Sequence, residues 1–204
     1  METLVRISAG LDRATQAVGQ LAKWLILPLI AVTIYDVVTR KFFGFQFWLS
    51  GYVGDALNST KLQELEWHFH TALFALCLGF GYLRNAHVRI DLVSEKLKPR
   101  WRAWIEFLGC VVFLLPYCVV IIYFAYNFAL DAYLQHEISA SLIGLPYRWI
   151  IKSVLFVGFV FALLAGISVM LREFVVLFGP REVADRVRPI EPTNERIVAQ
   201  VRDV

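Results

Sequence analysis

Polar and apolar positions in this chain fall into long blocks rather than alternating. From Phe107 to Leu130 no Asp, Glu, Lys or Arg occurs in 24 positions, and from Ser153 to Leu171 none in 19. An apolar helix of about 20 residues crosses a bilayer core about 30 Å thick, so both blocks predict membrane spans. Trp67 to Leu83 is uncharged for 17 residues, with Glu64 and Glu66 before it and Arg84 after it. A first block, Leu21 to Thr39, has an uncharged run of only 12, Trp24 to Tyr35. It spans if Lys23 snorkels to the interface and Asp36 is neutralised by Arg40, four residues on. Pro28 and Pro116 are expected to kink their helices, which neighbouring helices accommodate.

Ahead of the first span, Leu4, Ile7, Leu11, Ala14, Val18 and Leu21 recur at helical spacing, with Arg6, Asp12 and Arg13 between them. That pattern is an amphipathic helix at the membrane face rather than a cleavable signal peptide. The stretch "GYLRNAHVRIDLVSEKL", Gly81 to Leu97, threads apolar residues between charges and predicts a second amphipathic element, an in-plane elbow. If the helix runs on, Arg84, His87 and Asp91 (i, i+3, i+7) share one face; otherwise a turn ends the second span and His87 caps it. The expected architecture is an all-α integral membrane protein. It has an amphipathic helix over 1–20, four spans near 21–39, 67–84, 104–130 and 149–173, the elbow between spans two and three, and a tail over 176–204.

Composition agrees with the blocks. Hydrophobic residues make up 58% of the 204 positions and charged ones only 18%, against roughly 45–50% apolar in soluble domains. Four spans with both ends in the cytoplasm leave 15 of the 20 Lys and Arg on that side, as the positive-inside rule favours. The elbow and the tail are then cytoplasmic. The loop "FFGFQFWLSGY" is external, and its aromatics suit the membrane–water interface or a partner protein. The three cysteines, Cys77, Cys110 and Cys118, lie within spans and read as packing residues. No nucleic acid is expected as a partner.

Chemistry is sparse. No P-loop, dinucleotide fingerprint, HExxH or nucleophile elbow occurs, so neither a catalytic activity nor a cofactor is expected. Asp36 with Arg40, and Glu106 with Arg102, read as structural pairs near span ends. Gly158, Ala162 and Gly166 recur every four residues in the last span, a small-residue face that lets another helix approach closely, within this chain or from a partner. Four histidines keep one alternative open, a haem-binding membrane anchor of a redox complex.

Taken in order, "TRKFFG" closing the first span, Glu64 and Glu66 before the second, "GFGYLRNAHVRIDLV" closing the second and "SASLIGLPYRW" before the fourth resemble the small membrane subunit, the DctQ type, of TRAP (tripartite ATP-independent periplasmic) transporters. The resemblance covers roughly residues 20 to 175. It implies a large permease subunit and a periplasmic substrate-binding protein as partners, besides membrane lipids, in a bacterial inner membrane. It further implies a bracing role during sodium-driven uptake of an organic acid. Arg40, Glu64, Glu66, Arg84, His87, Asp91, Gly158, Ala162 and Gly166 are the candidate structural, partner or lipid contacts.

Overall fold

The computed structural model describes residues 1–42, 58–86, 97–141 and 143–187. Seven α-helices carry almost all of them: α1 (Glu2–Ala22), α2 (Ile26–Lys41), α3 (Ser59–Leu83), α4 (Pro99–Gly109), α5 (Leu115–Leu134), α6 (Trp149–Phe178) and α7 (Arg181–Val187). No strand occurs among the described residues. Residues 43–52 of the aromatic loop, the elbow residues His87 and Asp91, and the tail from 188 on lie outside them.

Both prolines leave their mark one turn upstream. A proline ring has no N–H and collides with the carbonyl four residues earlier. For Pro28 that carbonyl is on Trp24, and Lys23–Leu25 tightens into a 3-10 turn joining α1 to α2. For Pro116 it is on Val112, and Cys110–Leu114 widens into a π turn joining α4 to α5. Neither distortion ends its helix. Glu2–Lys41, Arg100–Leu134 and Trp149–Phe178 are three continuous helices long and apolar enough to cross a membrane. The 25-residue α3 carries Lys61, Glu64 and Glu66 in its first two turns and lies between α2 and α6.

Contacts arrange the helices as an open row, α2 beside α3, α3 beside α6, and α6 beside α5. α1 lies over the seam between α3 and α6, and α4 packs on α6. An open row is a natural state in lipid, where acyl chains are as apolar as leucine and nothing drives closure into a bundle. In the most apolar stretch of α6, 28% of residues are buried, against 11% in each of the other two long helices. α6 is the centre of the row.

The N-terminal helix meets the row through a face that its apolar pattern did not announce. Its buried residues are Ser8, Thr15, Gly19 and Ala22, all small or hydroxylated, while Ile7 and Leu21 of the apolar stripe are exposed. Small residues allow the close approach. A Cβ on Gly79 of α3 would lie 2.6 Å from the Phe161 carbonyl oxygen and 3.0 Å from Thr15 Cγ2, which puts α1, α3 and α6 in mutual contact.

α3 ends at Leu83. The Asn85 amide bonds Tyr82 O at 3.2 Å, the Ala86 amide bonds Gly81 O at 2.9 Å, and Asn85 takes a left-handed φ of 51°. These reversed bonds close the helix C-terminus. The continuous helix that would have aligned Arg84 with His87 and Asp91 is therefore broken at Asn85, and a turn begins the elbow.

Candidate functional site

The candidate residues of this chain take part in a set of helix–helix ties, and small residues make the tightest of them. At the crossing of α3 and α6, a Cβ on Gly158 would lie 2.5 Å from Ala75 O and 2.8 Å from Ala75 Cβ. One on Gly166 would lie 2.8 Å from Leu114 Cδ2. Gly158, Ala162 and Gly166 are all buried. The small-residue face of the last span is thus occupied by this chain's own α3 and by the π turn, not left open for a partner.

Polar ties sit at three levels. Where α3 begins, Asp36 is 1% exposed; it pairs with Arg40 and accepts a hydrogen bond from Ser59 Oγ at 2.8 Å. The predicted Asp36–Arg40 pair exists, and Ser59 of α3 is the member that the local spacing could not reveal.

Glu64 is the second centre. Its carboxylate accepts from the Ser139 hydroxyl and, at 2.5 Å, from the Leu145 amide. Gly144 passes so close that a Cβ there would lie 2.7 Å from Glu64 Oε2. Burial pushes the Glu64 carboxyl up, but the Ser139 hydroxyl, the Leu145 amide, Arg148 and His68 together outweigh it and hold the pKa below the ordinary 4.5. The connection between α5 and α6 is pinned again by Glu137, which pairs with Lys152 and lies 3.9 Å from Arg148. His136 (φ 46°) and Tyr147 (φ 63°) hold left-handed backbone conformations at its two ends. The His136 value is the ordinary left-handed cap that closes α5, with its amide on Tyr133 O at 3.2 Å and the Glu137 amide on Ala132 O at 2.9 Å; the Tyr147 value is the uncommon one for its residue type.

A buried polar knot fastens α1 to α6. Ser168 Oγ lies 2.5 Å from Asp12 Oδ1 and 3.1 Å from both Ser8 O and Ser8 Oγ. One hydroxyl has one proton, so the short contact to the carboxylate takes it and Ser8 can donate in return. Arg172 Nη1 stands 3.6 Å from Asp12 Oδ2. Nothing local in the sequence marks this tie, whose halves are about 160 residues apart.

The remaining candidates are less engaged. Glu66 Oε1 is buried without a hydrogen-bond partner among the described residues. Arg84 is exposed, its guanidinium 5.5 Å from the Phe80 ring. His68 Nδ1 is 2.5 Å from Glu64 O. Among the described residues no group of three or more His, Cys, Asp or Glu could hold a metal ion.

These features define a helical protein with membrane-length apolar helices whose buried polar groups serve mostly to join helices. Residues 29–176 match the family described as tripartite ATP-independent periplasmic transporters, DctQ component. The match covers most of the chain, and the chain belongs to that family. It is a component of a TRAP transporter. No curated protein and no solved structure matches it.

Proposed function

We propose that this chain is the small, non-catalytic scaffold subunit of its transporter. It crosses the inner membrane four times with both termini in the cytoplasm and braces a large permease subunit. That partner takes up an organic acid with sodium as the driving ion, and a periplasmic binding protein delivers the solute.

One observation carries the bracing role: four carboxylates, on α1, α2, α3 and the α5–α6 connection, are each held by fixed partners within the chain. Asp12 is joined to Arg172, Asp36 to Arg40, and Glu137 to Lys152, while Glu64 holds the connection ahead of α6. A subunit that carried its own substrate would usually present broken helices and polar groups at the bilayer midplane. Here the polar groups stiffen a row. α3 supports a fourth crossing, because its glycine contacts hold it flush against α6 on one side while α2 flanks it on the other.

Coexpression tests the reading. An affinity-tagged copy of this chain, extracted in mild detergent, should bring down the large permease subunit in fixed ratio. Recovery of the chain alone, well folded and free of the permease, would contradict it.

A further inference from the structure

On α3 the exposed side chains, up to its last residue, are Gln63, Trp67, His70 and Phe74. Their spacing is four, three, four, the repeat by which one helix receives another along a seam. The next position of that repeat is Cys77, whose Sγ lies 3.9 Å from Gly19 O of α1. The chain's own α1 therefore covers the C-terminal part of this stripe, and the N-terminal half lies open beyond it. We infer that a transmembrane helix of the large permease subunit proposed above seats on this open half, continuing the contact that α1 begins. The inference rests on reading α3 as a membrane crossing.

Chemistry separates a protein occupant from lipid. His70 lies six residues past Glu64, about 9 Å further along the helix at 1.5 Å per residue. It makes no hydrogen bond or ion pair among the described residues. Histidine within a membrane span almost always faces protein or a water-filled cavity, where it finds a partner; acyl chains offer it none. By contrast, Ile30, Ile34, Val37 and Val38, exposed on α2, ask for nothing but hydrocarbon. Trp67 is already held in place, with the Arg148 guanidinium 5.5 Å from its ring and the His68 ring 4.0 Å away. A fixed aromatic anchor beside an unmet hydrogen-bonding group is the composition of a contact hot spot. The occupant is thus a protein helix presenting a hydrogen-bonding group opposite His70 rather than bare hydrocarbon.

Photo-crosslinking in membranes holding the full transporter tests this. Benzoyl-phenylalanine replacing Phe74 should form an adduct with the large permease subunit, while the same probe replacing Ile34 should label lipid. Trp67→Ala with His70→Leu should lower copurification of the permease about tenfold, with His70→Gln alone recovering closer to wild type. Lipid adducts alone from position 74 in an intact complex would overturn the inference, as would undiminished copurification of the double variant. Permease adducts from position 34, or from the exposed Phe113 of the π turn, instead would refute the α3 seam and leave the scaffold role standing. A chain that crosslinks from no position and purifies alone would refute both.

Discussion

Replacing Gly158 with alanine adds one methyl group at the closest crossing of the row. That methyl would stand 2.5 Å from the carbonyl oxygen of Ala75 and 2.6 Å from its carbonyl carbon. Both are backbone atoms of α3, so no side-chain rotation relieves the collision and the two helices must separate. Overpacking of this kind costs about 1–3 kcal/mol. Alanine returns up to about 1 kcal/mol, because glycine is the poorer helix former. The net expectation is a loss of up to about 2 kcal/mol, and more for Gly158→Leu. Gly10 supplies the control, since a Cβ there meets nothing within 4 Å. Gly10→Ala should be neutral or stabilising by up to about 1 kcal/mol. Denaturant titration in mixed micelles, followed by tryptophan fluorescence, measures both. A Gly158→Ala variant as stable as Gly10→Ala would mean that α3 and α6 are not in the contact described.

The polar knot predicts that Asp12→Asn and Ser168→Ala each destabilise and that the double variant loses less than their sum, because both remove one tie; strict additivity would count against it. At Asp36, Arg40→Leu should be worse tolerated than Asp36→Leu, because the first strands a buried carboxylate and the second removes it; a thermal-stability ranking in the opposite order would refute the pairing. Glu64 has a depressed folded pKa, so its contribution is present above the unfolded value near 4.5 and is lost as pH falls through the lower folded value. Hydrogen exchange at the Leu145 amide should therefore stay slow until the pH falls below 4.5, and Glu64→Gln should abolish that acid transition; loosening near neutral pH would contradict the assignment.

The helical membrane class was legible because uncharged runs such as Phe107 to Leu130 have one physical reading at that length. The small-residue repeat at Gly158, Ala162 and Gly166 was legible as a place of close approach, but spacing along one helix does not say which helix approaches. The N-terminal helix was read from its apolar stripe, Leu4 to Leu21, and the stripe reports partition between water and lipid. Protein contact runs through a different set, Ser8, Thr15, Gly19 and Ala22, at intervals of seven, four and three. That interval of small residues was present in the sequence and was the available signal. Glu64 and Glu66 drew attention together, yet only Glu64 became a centre, because its partners Ser139 and Leu145 lie 75 and 81 residues away. Non-local ties of this kind leave no periodic trace. The spacing of Arg84, His87 and Asp91 allows either a shared helical face or a turn after the second span, and the left-handed Asn85 selects the turn; spacing alone does not say where a helix stops.

As a scaffold subunit, this chain is proposed to be indispensable to transport and to carry nothing by itself. Liposomes with an imposed sodium gradient test it most directly, using a radiolabelled organic acid, its binding protein and the membrane subunits in three combinations. Uptake should appear only when this chain and the large permease are both present. Uptake by vesicles containing this chain alone, or undiminished uptake by the permease without it, would contradict the account.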